Sequence, residues 1–125
     1  MITVNGNELD FDLTSPEDLR RYTEAGEALN AASALIAPPP EDLASPTGFA
    51  CYITYLDQSC RAVASFIDAV FGQNTCNRLL GPKSSLEKLL DLCDAISAAL
   101  EEQGRRVGVK IQKYTPNRAT RRAGK

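Results

Sequence analysis

Four cysteines, sixteen carboxylates and no histidine make up the reactive inventory of this 125-residue chain. Cys51, Cys60, Cys76 and Cys93 are spaced by 9, 16 and 17 residues, so no Cys-x-x-Cys pair exists to hold a zinc ion or to cycle between thiol and disulfide. Without histidine the chain lacks the usual general base and the commonest metal ligand. Cys60 stands beside Arg61, a setting that lowers thiol pKa values. It also falls on an apolar helical stripe, where free cysteine normally packs as a small hydrophobe. The carboxylate pairs Glu17/Asp18, Glu41/Asp42, Asp91/Asp94 and Glu101/Glu102 sit where helix starts and solvated helix faces normally place them. Gly81-Pro82-Lys83-Ser84-Ser85 lacks the glycine spacing and the preceding strand of a phosphate-binding loop, and reads as a helix break followed by a cap. The inventory argues against an enzyme and against a bound metal or other cofactor. Reduced, partly buried thiols are the expected state of the cysteines.

What remains is charge. Residues 1–103 hold six basic and all sixteen acidic side chains, a net −10, whereas residues 104–125 hold eight basic and no acidic side chain, a net +8. An acidic body (1–103) with a basic tail (104–125) is a layout suited to engaging a partner through the tail. Arg118, Arg121 and Arg122 suit phosphate or carboxylate surfaces, and Tyr114 can stack on a base, which makes nucleic acid a candidate partner. The acidic body repels a polyanion beyond the reach of the tail, so an acidic protein fits better.

The elements that position these groups follow from spacing. Ile2 and Val4 before Asn5-Gly6, with Leu9 and Phe11 after, predict a β-hairpin over 2–12, because both central residues of a type I′ turn need positive φ. Two strands are not stable alone, so the hairpin must lie on helices or pair with another copy. Ser15-Pro16-Glu17-Asp18 and Ser45-Pro46 are helix starts, and the triple proline at 38–40 makes residues 37–45 an extended linker. Helices are predicted over about 16–36, 46–71, 74–80 and 85–103, the last opened by a Ser84-x-x-Glu87 capping box and closed at Gln103-Gly104. The second carries a wide stripe that includes Phe49, Tyr52, Leu56, Val63 and Phe66, and at about 1.5 Å per residue it runs roughly 39 Å. Residues 105–114 alternate faintly and are expected to order as strand or helix on a partner. The fold class is therefore mostly α: three main helices and one short one, an N-terminal hairpin and a basic C-terminal tail. No apolar run reaches the roughly 18 residues of a membrane span, and Met1–Gly6 is not a secretory signal, so cytoplasmic localisation is the expectation.

The segment Tyr114-Thr115-Pro116-Asn117-Arg118-Ala119-Thr120-Arg121-Arg122 resembles the C-termini of small tail-assembly proteins of siphophages and prophages, which carry an Asn-Arg-Ala-x-Arg-Arg sequence. Ile2–Phe11, Ile67–Gly72 and Leu80–Lys83 are similar to a group of proteins in phages of Firmicutes. The resemblance implies a tail assembly chaperone, a mostly helical protein that binds the long, hydrophobic tape measure protein and keeps it soluble. Such chaperones also help recruit tail tube subunits and are absent from the finished virion. It implies further that Phe49, Tyr52, Leu56, Val63 and Phe66 form a client surface that binds helices in a groove. Tyr114, Arg118, Arg121 and Arg122 would meet acidic segments of the tape measure or tail tube proteins. A long client gains from several copies bound along it, so a homo-oligomer, joined through the hairpin or the central helix, is expected. Two other readings fit the composition: a small nucleic-acid-binding regulator using the basic tail, and a phage-encoded inhibitor of a host defence protein.

Overall fold

The structure, a computed structural model, describes the backbone of residues 1–114 and the side chains of residues 1–112. In chain order the elements are β1 (Ile2–Val4), β2 (Asn7–Leu9), α1 (Pro16–Ala34), α2 (Pro46–Phe71), α3 (Thr75–Leu80) and α4 (Leu86–Tyr114). The fold is thus mostly helical with an N-terminal antiparallel hairpin.

Asn5 (φ 51°) and Gly6 (φ 80°) both take positive φ and close a tight turn that pairs Ile2 with Leu9, Thr3 with Glu8 and Val4 with Asn7. The hairpin's apolar side chains, Ile2, Val4, Leu9 and Phe11, are buried, and β1 lies against α4. The hairpin is therefore covered by its own chain. Phe11 meets the ring of Tyr22 on α1 edge-on at 6.0 Å and that of Phe71 on α2 at 5.7 Å, so one aromatic joins three elements. Gln103, 3% exposed on α4, completes the closure. Its Nε2 donates to the carbonyls of Phe11 (2.9 Å) and Met1 (3.2 Å), and its Oε1 accepts from the Leu13 amide (3.0 Å). One amide side chain thereby satisfies three backbone groups beyond the last ladder pair.

The helix starts read from sequence are present. Ser15 Oγ accepts from the Asp18 amide (3.4 Å) and Ser45 Oγ from the Gly48 amide (2.9 Å), each followed by proline in the first turn. Arg21 Nε donates to the Val70 carbonyl (2.8 Å) and Tyr22 meets Phe66 edge-on at 5.6 Å, which sets the start of α1 against the end of α2. Asp68 Oδ1 accepts from the Cys76 amide (3.0 Å) and Gly72 (φ 113°) turns the chain, so α3 folds back onto α2. Ile67 and Val70 of α2 meet Leu89, Leu92 and Ile96 of α4 in the main core.

Several boundaries differ from the sequence reading. The first helix ends at Ala34 rather than near 36, and the short helix begins at Thr75, after a left-handed Asn74. The α4 start is capped by Ser85, whose Oγ accepts from the Lys88 amide (3.4 Å), in place of the Ser84/Glu87 box. The largest correction lies at the other end, where α4 passes through Gly104 and runs to Tyr114, so the division of body from tail at 103/104 does not coincide with a helix end. Gly104 is not a cap here: its Cα side faces Leu13, whose Cδ1 would lie 3.7 Å from an added Cβ. Half-buried Val107 continues the stripe of Leu92, Ile96, Leu100 and Gln103, and Glu102 pairs with Arg105. These gains offset the cost of glycine within a helix, about 1 kcal/mol each.

Candidate functional site

From Leu43 to Leu56 the chain has no charged side chain, and Asp57 is the first charge within α2. The wide stripe along this helix is treated differently in its two halves. Cys60, Ile67 and Val70 are buried, and Val63 and Phe66 pack half-buried against the core. Phe49 and Ile53, on the same face two to three turns before Cys60, are 54% and 53% exposed. The covering helices stop short: α4 begins at Leu86, beside Leu56 and Cys60, and among the described residues the linker covers Gly48 in the first turn of α2 but leaves Phe49 and Ile53 open. Tyr52 and Leu56 are half-buried where the stripe passes from open to covered, and Tyr52 stacks on Tyr55 with ring centroids 6.4 Å apart.

Two open grooves flank α2. One, about 540 Å³, runs between α1 and α2. Its walls are the small side chains Ala25, Ala28 and Ala32 on one helix and Ala62 and Ala69 on the other, with Phe66 between them and Leu35 and Ile36 at the end. Gln58, Ser65 and Arg61 are its polar lining, and Arg61 is ion-paired with Asp57 at 3.3 Å. The second, about 620 Å³, lies between the start of α2 and the start of α4, lined by Tyr52, Leu56, Leu86 and Leu90, with Lys83, Glu87 and Asp91 among its polar residues.

The nine residues singled out from sequence therefore separate. Phe49, Tyr52 and Leu56 stay together on the open half of α2, Phe66 borders the α1–α2 groove, and Val63 belongs mainly to the core edge. Tyr114 is the last residue of α4, and its side chain, with Arg118, Arg121 and Arg122, lies outside the described residues. The sequence reading takes Ala32 as part of the α1 stripe and does not single out Ala25, Ala28, Ala62 or Ala69. Their signal is spacing, since small residues at i, i+3 and i+7 leave a trough along a helix rather than a ridge.

Three of the four thiols are poor nucleophiles. Burial pushes the Cys76 thiol up to about 12, assisted by the nearby Asp68 carboxylate. Burial likewise raises Cys60 and Cys93, with Asp57 and Asp94 adding to it. Cys51 differs from the expectation of partial burial: it is exposed, on the open half of α2. All four are free. Among the described residues, no three cysteine or acidic side chains form a group that could hold a metal ion, and no helix is long and apolar enough to cross a membrane.

Among the described residues, the hairpin, four helices and open grooves beside α2 define a small helical domain. The chain belongs to a family of unknown function, DUF6673, whose pattern it matches over residues 5–125. Comparison with curated proteins and with solved structures gives no match.

Proposed function

We propose that this protein is a non-enzymatic tail assembly chaperone that receives helical segments of a tape measure protein in the groove between α1 and α2. The observation that carries the reading is the groove itself. A chain of this size has little apolar surface to spare, yet it leaves an alanine-walled trough open beside Phe66. Small walls let a second helix approach closely, and helix-in-groove recognition reads apolar side chains at i, i+3, i+4 and i+7 of the guest. A long, apolar, helical client supplies that pattern repeatedly. The choice of a tape measure protein rests on the likeness of Tyr114–Arg122 to the C-termini of tail-assembly proteins, with the hairpin similar to a group of phage proteins.

The basic end supports a second contact. Arg105, Arg106 and Lys110 are exposed on the last turns of α4, and Arg118, Arg121 and Arg122 follow in the chain. In this account they meet acidic segments of the client or of tail tube subunits. The chaperone acts in the host cytoplasm and leaves before the virion is complete.

The test is co-expression with the tape measure protein of the same genome. The chaperone reading expects the client in the soluble fraction, co-purifying with this chain, and expects both to be lost with Ala32→Glu or Ala62→Glu. A client that stays insoluble beside the wild-type chain contradicts it. Retention of nucleic acid instead, with affinity falling by orders of magnitude between about 50 and 200 mM salt, would favour a regulator. Capture of a host defence protein would favour an inhibitor.

A further inference from the structure

Client binding occupies the α1–α2 groove and leaves the start of α2 unexplained. We infer that this uncovered start, Phe49, Tyr52, Ile53 and Leu56 with Leu90 of α4 beside it, is a two-fold interface with a second copy of this chain. Three observations select that occupant.

The first is charge. The body carries a net −10, so two copies repel one another over most of their surface, whereas Leu43–Leu56 brings no charge to a contact. The second is the edge of the patch. Lys83, Glu87 and Asp91 line the groove beside Tyr52, Leu56 and Leu90, so both signs accompany one apolar strip. A two-fold axis sets each patch against its own image, and a border holding both signs can pair with itself. The third is geometry and size. Residues 49, 52, 53 and 56 follow the i, i+3, i+4, i+7 pattern of one helix face, and crossing two such faces antiparallel near Tyr52 and Ile53 sets Phe49 of each copy near Leu56 of the other. Phe49, Ile53 and Leu90 are 54%, 53% and 49% exposed. At about 100 Å² apiece, with smaller shares from Tyr52 and Leu56, the patch comes to roughly 400 Å² per copy. At about 800 Å² in total that is below the roughly 1,000 Å² of a stable interface, in the range of weak, reversible association rather than of an obligate dimer.

The pairing leaves the alanine groove of each copy open, so a dimer offers two receiving surfaces to one long guest. The hairpin, the other candidate for self-association, is packed on α4 and has its apolar side chains buried.

Sedimentation equilibrium of the full chain alone at micromolar concentration is the test, and it is independent of any client. A monomer–dimer equilibrium is expected, weakened at least about tenfold by Phe49→Asp with Ile53→Asp and unchanged by Ala32→Glu. Both aspartates replace exposed side chains, and circular dichroism with thermal melting verifies that the variant stays folded. As a second reading, Ile53→Cys in a Cys51→Ser background should crosslink between copies under mild oxidation, while Ser97→Cys, at an exposed position midway along α4, should not. A chain that remains monomeric throughout, a dimer indifferent to the double aspartate variant, or crosslinking at Ser97→Cys but not at Ile53→Cys would overturn the inference.

Discussion

The two halves of α2 carry the same apolar stripe and have opposite fates. From Cys60 to Phe71 the stripe is closed over by α1, α3, α4 and the hairpin; from Pro46 to Leu56 it overhangs them. The stripe itself does not distinguish the halves, because Phe49 and Ile53 are as apolar as Phe66 and Ile67. What distinguishes them is the length of the covering elements, since α4 starts only at the level of Leu56 and Cys60. Apolar periodicity reports that a face will be covered by something, and the lengths of neighbouring elements decide whether that something belongs to the same chain.

The contrast can be broken most sharply with a thiol probe, because each half holds a cysteine. Exposed Cys51 should be labelled at once at neutral pH, whereas Cys76, raised from 9.0 to about 12, has about a thousandfold less thiolate than an ordinary thiol and should resist until the chain unfolds. The sign for stability follows: the contribution from Cys76 is complete below the ordinary thiol pKa and is lost as pH rises toward its folded value. Equal labelling of Cys51 and the buried thiols in the native state would show that the packed half is not packed.

Substitution sharpens the same contrast. Phe11→Ala, which removes the ring joining β2's end to α1 and α2, should cost about 3–5 kcal/mol by urea denaturation. Phe49→Ala, on the overhang, should change monomer stability by no more than about 0.5 kcal/mol. Gln103→Leu comes next, at about 2–3 kcal/mol, because it strands the Leu13 amide and the Phe11 carbonyl in a buried place. Gly108→Ala should stabilise by about 0.5–1 kcal/mol: an added Cβ meets nothing within 4 Å, and alanine favours a helix that already runs through this point. No gain there would mean that residues 105–114 are not helical in the free chain. The smallest effect belongs to Asp12, whose carboxyl is held below its usual range by hydrogen bonds from the Thr14 hydroxyl and amide. Its stabilising contribution is present above the ordinary aspartate pKa and lost as pH falls through the lowered folded value, so Asp12→Asn should slightly flatten acid unfolding.

Much of this fold was legible in the sequence. Asn5-Gly6, Ser15-Pro16, Ser45-Pro46 and Gly72 mark local backbone preferences, and local preferences decide turns and helix starts. The α2 bounds of Pro46 and Phe71 follow from two such signals. The end of α4 was not legible, because Gln103-Gly104 has the form of a stop, and what carries the helix onward is tertiary: the burial of Gln103 under the hairpin and the packing of Val107 on the same stripe. Gly48 was missed for the same reason: a Cβ there would come within 1.8 Å of the Asp42 carbonyl, a contact between residues brought together by the linker. Of the candidate site, Phe49, Tyr52 and Leu56 could be read from periodicity. The alanine groove could not, since small residues in a helix signal propensity as readily as a trough.

The claim that open apolar surface on α2 is a receiving surface is tested most directly by hydrogen exchange on the chain alone and with the co-expressed tape measure protein. The account predicts that amides of residues 25–36 and 58–69, which line the α1–α2 groove, gain protection with the client, while those around Leu92–Gln103 do not change. Protection confined to residues 105–125, or none anywhere, would contradict it.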